Sequence, residues 1–246
     1  MRQGTAVISN SNKAFAGVAL CFAFVTAGHA LTKEEIADRL NGVDPSNISE
    51  SPIPGIYQIQ LGSNVAYVTT DGQYLFQGEL YDLTTSQNMT ELTRAAARVE
   101  MLGEVPSDEM LIFAPQDTDV KHTVTIFTDI DCGYCRQFHR EIDQVNALGI
   151  EVHYLFYPRT GPNTESWAKA DKVWCADERN EAFTKATVAG AVPEEICDAT
   201  PVGSHFDLGR SVGVTGTPAI IAANGQMIGG YMPPATLLER LESLSE

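Results

Sequence analysis

Ile126-Phe127-Thr128-Asp129-Ile130-Asp131-Cys132-Gly133-Tyr134-Cys135-Arg136-Gln137-Phe138-His139 is the stretch on which the reading of this chain turns. An apolar, β-favouring run stops, and two cysteines separated by two residues open a predicted helix. Cys132 then sits at a helix N-terminus, where unpaired N–H groups and the helix dipole favour an anion such as a thiolate. In a C-x-x-C site the thiol of lowered pKa is the attacking species. Cys132 is therefore the candidate nucleophile, which forms a mixed disulfide with a substrate. Cys135 stands behind it and can release the substrate by closing the 132–135 bridge. Asp129 and Asp131 are expected to oppose the thiolate by Coulomb repulsion, while Arg136 and the helix terminus favour it.

Two other uses of the pair are weaker. A zinc site needs four ligands at matched spacing. Cys175 and Cys197 each stand alone, and His122, His139, His153 and His205 show no pairing, so no metal and no cofactor is expected. A purely structural bridge across two residues closes a tiny loop and gains little chain entropy.

Further along, Val214-Thr215-Gly216-Thr217-Pro218-Ala219-Ile220 places a proline at the start of a β-favouring run. C-x-x-C beside a strand–helix pattern is the sequence form of a thioredoxin-like redox site. Proteins of that kind hold a cis-proline next to the active-site cysteines. A cis Thr217–Pro218 bond would present the backbone of Thr217 to an extended substrate.

The surrounding pattern fits. Strands are expected at Met110–Ala114, Thr123–Ile130 and Glu151–Tyr157, with a helix over Cys132–Leu148. Helices are expected near Glu165–Ala176, Asn180–Ala189 and Gly203–Val212. A hairpin turns at Asn224-Gly225, and a helix over Pro234–Ser245 closes the chain. This order, β-α-β, helices, β-β-α, is an α/β thioredoxin-like domain with a helical insertion.

Upstream lies a different kind of unit. Leu31–Leu40 reads as a helix, with Thr32 and Glu35 as a capping box. A turn-rich stretch, Asn41–Gly55, leads to three short strands at Gly55–Leu61, Asn64–Thr69 and Tyr74–Leu80. A helix over Thr90–Met101 follows and is a candidate linker. The α+β unit of residues 31–88 is too small to bury much surface alone, and its sheet edges invite pairing. It is either a satellite packed on the main domain or a dimerisation domain. The expected division is 1–30 leader, 31–88 N-terminal domain, 89–106 linker helix and 107–246 catalytic domain.

The leader sets the compartment. Ala14–Val25 is a run of twelve apolar residues, followed by small residues at Ala27, Gly28 and Ala30. This reads as a secretory signal peptide cleaved near Ala30 or Ala27. It is shorter than the roughly 20 apolar residues that span a bilayer. Cys21 would leave with it. Four cysteines then remain, an even number suited to an oxidising compartment, and they allow three pairings. The simplest joins 132 to 135 and 175 to 197. Without Arg2 and Lys13 the chain carries 14 basic and 32 acidic residues, a formal charge of −18. That charge argues against nucleic acid as a partner.

On these residues the chain resembles the DsbC/DsbG family of periplasmic disulfide isomerases. The matching stretches are Phe127-Thr128-Asp129-Ile130 before Cys132-Gly133-Tyr134-Cys135, the Thr215-Gly216-Thr217-Pro218 segment, and Gly230-Tyr231-Met232-Pro233-Pro234. Gly133-Tyr134 and Thr217 favour the DsbC branch, while Asp131 departs from the family pattern. The resemblance implies a cystatin-like N-terminal dimerisation domain and a V-shaped homodimer whose uncharged cleft holds misfolded exported proteins. It also implies a structural disulfide between Cys175 and Cys197, and substrate contacts at Thr217, Pro218, Gly133 and Tyr134. An inner-membrane reductase of the DsbD type would keep the pair reduced, and chaperone activity would accompany isomerisation. The competing functions are a monomeric thiol oxidase of the DsbA type and a chaperone whose C-x-x-C is incidental.

Overall fold

A computed structural model describes residues 30–244. Almost all of the expected leader falls outside the described residues. Among the described residues, no helix is long and apolar enough to cross a membrane.

The N-terminal unit opens with α1 (Lys33–Arg39). The Thr32 hydroxyl accepts from the Glu35 N–H at 3.3 Å, and the Thr32 N–H donates to the Glu35 carboxylate at 2.8 Å. That reciprocal cap is the one written in the sequence. Strands β1 (Ile48–Glu50), β2 (Ile56–Leu61), β3 (Asn64–Thr69) and β4 (Leu75–Phe76) form an antiparallel sheet in that order. Ile36 and Ala37 of α1 pack on Ile48, Ile59 and Val68. Strand β1 is an addition to the sequence reading, which left Asn41–Gly55 as turns. Its cause is tertiary, since Ile48 pairs with Ile59 and is buried despite the prolines on either side. The third expected strand shrinks to Leu75–Phe76, and a short hairpin of β5 (Tyr81–Asp82) and β6 (Gln87–Asn88) follows.

Helix α2 (Met89–Gly103) is capped by the Asn88 side chain, which accepts from the Glu91 N–H at 3.0 Å. It ties the two units together. Buried Arg98 donates from Nε to the Val212 carbonyl at 3.0 Å and from Nη1 to the Gly225 carbonyl at 3.2 Å. Nη1 also meets the Glu91 carboxylate at 2.6 Å. Ser63, in the β2–β3 turn, donates both its N–H and its hydroxyl to the Ser211 carbonyl, at 2.9 and 2.8 Å.

The second unit is built on a five-stranded sheet. Its elements are β7 (Leu111–Phe113), β8 (His122–Thr128), α3 (Gly133–Arg140), α4 (Ile142–Ala147) and β9 (Ile150–Phe156). Then come α5 (Glu165–Cys175), α6 (Arg179–Thr184) with a π turn at Lys185–Ala189, and α7 (Val202–Ser211). Strands β10 (Ala219–Ala222) and β11 (Met227–Gly229) and helix α8 (Pro234–Glu242) complete it. The strand order is β11-β10-β8-β9-β7, with β8 and β9 parallel and the other pairs antiparallel.

Both faces of this sheet are covered, so β10 and the last three residues of β8 and of β9 are buried on both sides. Val124, Ile126, Val152, Tyr154 and Ile220 face a core completed by Phe138, Phe183 and Leu237. Phe127, Leu155, Ala219 and Ile221 face the other way, toward Val212 and Val214, and there Met101 and Leu102 of α2 join them. The linker helix thus docks through apolar contact as well as through Arg98.

The single helix expected over Cys132–Leu148 is two. It breaks at Glu141, whose backbone leaves the helical region (φ −102°, ψ 10°) and whose carboxylate accepts from the Tyr231 hydroxyl. Cys175, at the end of α5, is bonded to Cys197 across 22 residues. Closing a loop of that length stabilises by roughly 3 kcal/mol through the unfolded chain's lost entropy.

Candidate active site

Strand β8 ends at Thr128, and the chain turns through Asp129–Asp131 into α3. Cys132 is the residue that caps this helix, and its own backbone is extended (φ −80°, ψ 123°). Its sulfur therefore lies at the helix end with the free N–H groups. Cys135, one turn on, points inward. Both are free thiols and both are buried, Cys132 at 3% exposure.

The two thiols are unequal. Cys132 is lowered to about 5, chiefly by the hydrogen bond from the Cys135 thiol. Burial opposes this, while the Thr217 side chain and the N–H groups of Cys135 and Tyr134 add to it. Cys135 is pushed far up, first by burial and then by the bond it gives to Cys132. A thiolate at neutral pH sits beside a thiol that keeps its proton.

The Thr217–Pro218 bond is cis, and the Cys132 sulfur lies 3.1 Å from the Thr217 carbonyl oxygen. Strand β10 pairs with β8, Ala219 opposite Phe127, which brings Thr217 and Pro218 to the same end of the sheet as the cysteines. Gly133 borders open space and Tyr134 is 64% exposed. Of the residues expected at the site, Cys132, Cys135, Gly133, Tyr134, Thr217 and Pro218 are gathered in one place. Cys175 and Cys197 form their own bridge at the far end of α5.

Both acidic residues beside Cys132 carry cationic partners. Asp129 is buried, yet its carboxylate is held below the usual range: burial pushes it up, but bonds from the Ser166 hydroxyl, the Arg159 and Asp131 N–H groups and the Arg159 guanidinium outweigh this. The Arg159 Nε lies 3.0 Å from Asp129, and its charge also faces the Cys132 thiolate. Asp131 is matched by Lys169 at 2.9 Å and by Arg136 at 3.4 Å. Arg136 is turned away from the sulfur, its Nε donating to the Ile130 carbonyl at 2.8 Å. Each carboxylate next to Cys132 is thus paired with a cation.

Arg159, Ser166 and Lys169 escaped sequence reasoning, and Tyr231 entered it only within a matching stretch, without a role. For Arg159 a signal existed. Strands β8 and β9 run parallel, with Thr128 opposite Phe156, so the residues just past β9 arrive beside those just past β8.

The reduced protein titrates accordingly. A lowered thiol pKa stabilises the folded reduced state fully above the unfolded thiol's value of about 8.5, and this contribution fades as pH falls through the folded value. The ultraviolet thiolate absorbance, with Cys132→Ser as baseline, is expected to be half-maximal near pH 5. It should drop about tenfold between pH 6 and pH 4. A midpoint near the ordinary thiol value would contradict the geometry.

A strand-ended, helix-capped dithiol beside a cis-proline on this sheet defines a thioredoxin-fold thiol–disulfide oxidoreductase. The thioredoxin-like domain family matches residues 115–245, and the disulfide bond isomerase N-terminal domain family matches residues 23–91. The thiol:disulfide interchange protein DsbC of Dickeya dadantii is 38% identical over 205 residues, 82% of each chain. That of Haemophilus influenzae is 36% identical over 90% of this chain and 96% of its own. The chain belongs to the DsbC family of thiol:disulfide interchange proteins, enzymes of disulfide isomerisation. Among solved structures, a disulfide interchange protein from Neisseria gonorrhoeae is 28% identical with a TM-score of 0.50, covering 56% of this chain and 97% of its own. The catalytic domain of Proteus mirabilis ScsC, 16% identical with a TM-score of 0.51 over 63% of this chain and 99% of its own, shares the fold.

Proposed function

We propose that this protein rearranges wrong disulfides in misfolded exported proteins of the periplasm, as a homodimer, through a mixed disulfide at Cys132. The observation that carries this reading is the inequality of the two thiols at the mouth of α3. The Cys132 thiolate attacks one sulfur of a substrate disulfide. A new Cys132–S bond forms, the substrate S–S bond breaks, and the other substrate sulfur leaves as a thiolate that takes up a proton. Another substrate thiolate can then attack its partner sulfur in the mixed disulfide. That closes a different substrate bridge and returns Cys132 as thiolate, with no net change in electrons.

The alternative exit uses Cys135, which must first lose its proton to close the 132–135 bridge. This releases a reduced substrate and leaves the enzyme oxidised by two electrons. Because burial holds that proton on, the mixed disulfide persists and rearrangement has time to occur. An inner-membrane reductase of the DsbD type would return the two electrons. Thr217, Pro218, Gly133 and Tyr134 are the substrate contacts in this reading, and the Cys175–Cys197 bridge is structural.

Dimerisation is assigned to the N-terminal domain, residues 31–88, followed by the linker helix 89–106 and the catalytic domain 107–246 after a leader of residues 1–30. Its support is the row of exposed apolar side chains Tyr74, Leu75, Phe76, Tyr81 and Leu83, the last 90% exposed, beside the two-residue edge strand β4. Such an edge is a template for a second chain. The same surfaces would give chaperone activity toward unfolded clients.

The test is recovery of a scrambled multi-disulfide substrate by catalytic amounts of the mature protein in a redox buffer, alongside its redox state in the cell. Recovery above buffer, with Cys132 and Cys135 mostly reduced in vivo, is the expected result. No recovery together with a mostly oxidised pair would make it a thiol oxidase.

A further inference from the structure

Tyr231 lies in the loop between β11 and α8, outside the residues to which catalysis has so far been assigned. Its ring stacks on that of Tyr134, with centroids 6.1 Å apart and planes inclined by 18°. Its hydroxyl is saturated: it accepts from Gln137 Nε2 at 2.9 Å and donates to both Glu141 carboxylate oxygens at 3.1 Å. Tyr134, Gln137 and Glu141 stand at i, i+3 and i+7, so one face of the active-site helix and the residue that ends it hold the ring from below. The preceding Gly230 runs beside the cis bond, where a Cβ would come within 3.6 Å of the Pro218 carbonyl oxygen.

Tyr134 has its outer side open to solvent. A tyrosine so placed, in the first turn of α3 and two residues from the Cys132 thiolate, would ordinarily sample several rotamers. Here it is held by a partner ring that is itself tied at its far end. Two ordered aromatic rings offer contact area at little cost in conformational entropy, the property that makes tyrosine a frequent binding residue. Tyr134 is two residues from Cys132, and Gly230, next to Tyr231, lies against Pro218, so both rings border the path of an extended chain whose sulfur bonds to Cys132 and whose backbone meets Thr217. Side chains one or two residues from the substrate cysteine then fall on the rings.

We infer that Tyr231 is a positioning residue that fixes Tyr134 as a platform for an aromatic side chain next to the substrate cysteine, and so sets a sequence preference in disulfide exchange. The inference rests on Cys132 being the attacking thiol. Misfolded clients expose aromatic residues that native ones bury, so a platform of this kind favours them.

Two disulfide-linked peptides, identical except for phenylalanine or serine beside the cysteine, test it. In the wild-type protein the phenylalanine peptide is expected to have a KM about threefold to tenfold below that of the serine peptide, the range of one aromatic contact. Tyr231→Ala should bring the ratio of the two KM values to about one. Tyr231→Phe keeps the ring but loses Gln137 and Glu141, and should retain roughly a twofold preference. It carries the test if the alanine variant fails to fold. General loosening of the site would raise both KM values together and leave their ratio intact. A ratio of one in the wild type, or an unchanged ratio in either variant, overturns the platform. Absence of a Cys132 adduct with both peptides in the wild type overturns the catalytic assignment itself, a different and separately visible result.

Discussion

Cys132→Ala is expected to lose disulfide exchange by roughly a thousandfold or more, because the attacking group itself is gone. Cys135→Ala is expected to behave differently. Its Cys132 can still attack, but the exit that closes the 132–135 bridge is lost. Mixed disulfides with substrate should then accumulate, visible as reductant-sensitive adducts on non-reducing gels and by mass spectrometry. The variant also removes the largest contribution to the lowered Cys132 pKa, the hydrogen bond from the Cys135 thiol. Its Cys132 should therefore titrate above 5. Rearrangement, which needs only one enzyme sulfur, should survive better than net reduction. Equal loss of both activities in the two variants would contradict the division of roles, and retention of exchange by Cys132→Ala would end the catalytic reading.

The second large effect is structural. Arg98→Ala removes a buried guanidinium that meets two carbonyls and a carboxylate. The Val212 and Gly225 carbonyls lose a charged donor, Glu91 keeps only the longer contact to Arg94 at 3.8 Å, and a void remains. Together these cost roughly 2–4 kcal/mol. For a chain of this size the thermal midpoint should fall by about 4–16 °C. Arg98→Lys keeps the charge but not the planar fork that reaches both carbonyls, and should recover only part of the loss. Gly225→Ala attacks the same joint from the other side. Gly225 has φ +81°, and a Cβ there would come within 2.0 Å of the Ala95 carbonyl oxygen, so α2 must move away. Hydrogen exchange should show the amides of α2 opening in both variants while β8 and β9 stay protected. An unchanged midpoint would mean that the apolar contacts of Met101 and Leu102 hold the helix alone.

How much of this was legible depended on whether the cause was local. The α1 cap, the start of α3 at the C-x-x-C and the hairpin at Asn224-Gly225 each depend on residues a few positions apart, and each was readable. Strand β1 was not, because Ile48 becomes a strand residue only by pairing with Ile59. Nor was the break between α3 and α4, which has no glycine or proline to mark it. Glu141 is drawn off the helix path where Tyr231, some ninety residues later, reaches it. The cysteine pair was readable from motif and spacing, and the cis Thr217–Pro218 bond from the likeness to thioredoxin-type proteins. The groups that set the charge around them, Arg159, Ser166 and Lys169, are supplied by the end of β9 and by α5, and only the parallel β8–β9 pairing and the seat of α5 bring them there. For that reason the balance between Asp129, Asp131 and the cations around Cys132 was not legible in the sequence.

The pairing of those charges has a consequence for how the enzyme meets its clients. The chain as a whole is strongly acidic, with 32 acidic against 16 basic residues. Yet beside Cys132 the carboxylates are paired at close range, Asp129 with Arg159 and Asp131 with Lys169 and Arg136. Added salt screens the distant acidic shell over about 10 Å but has little left to screen at the sulfur itself. Ionic strength should therefore change how fast charged clients arrive, raising the rate for acidic ones and lowering it for basic ones. The exchange that follows arrival should depend on salt less than arrival does.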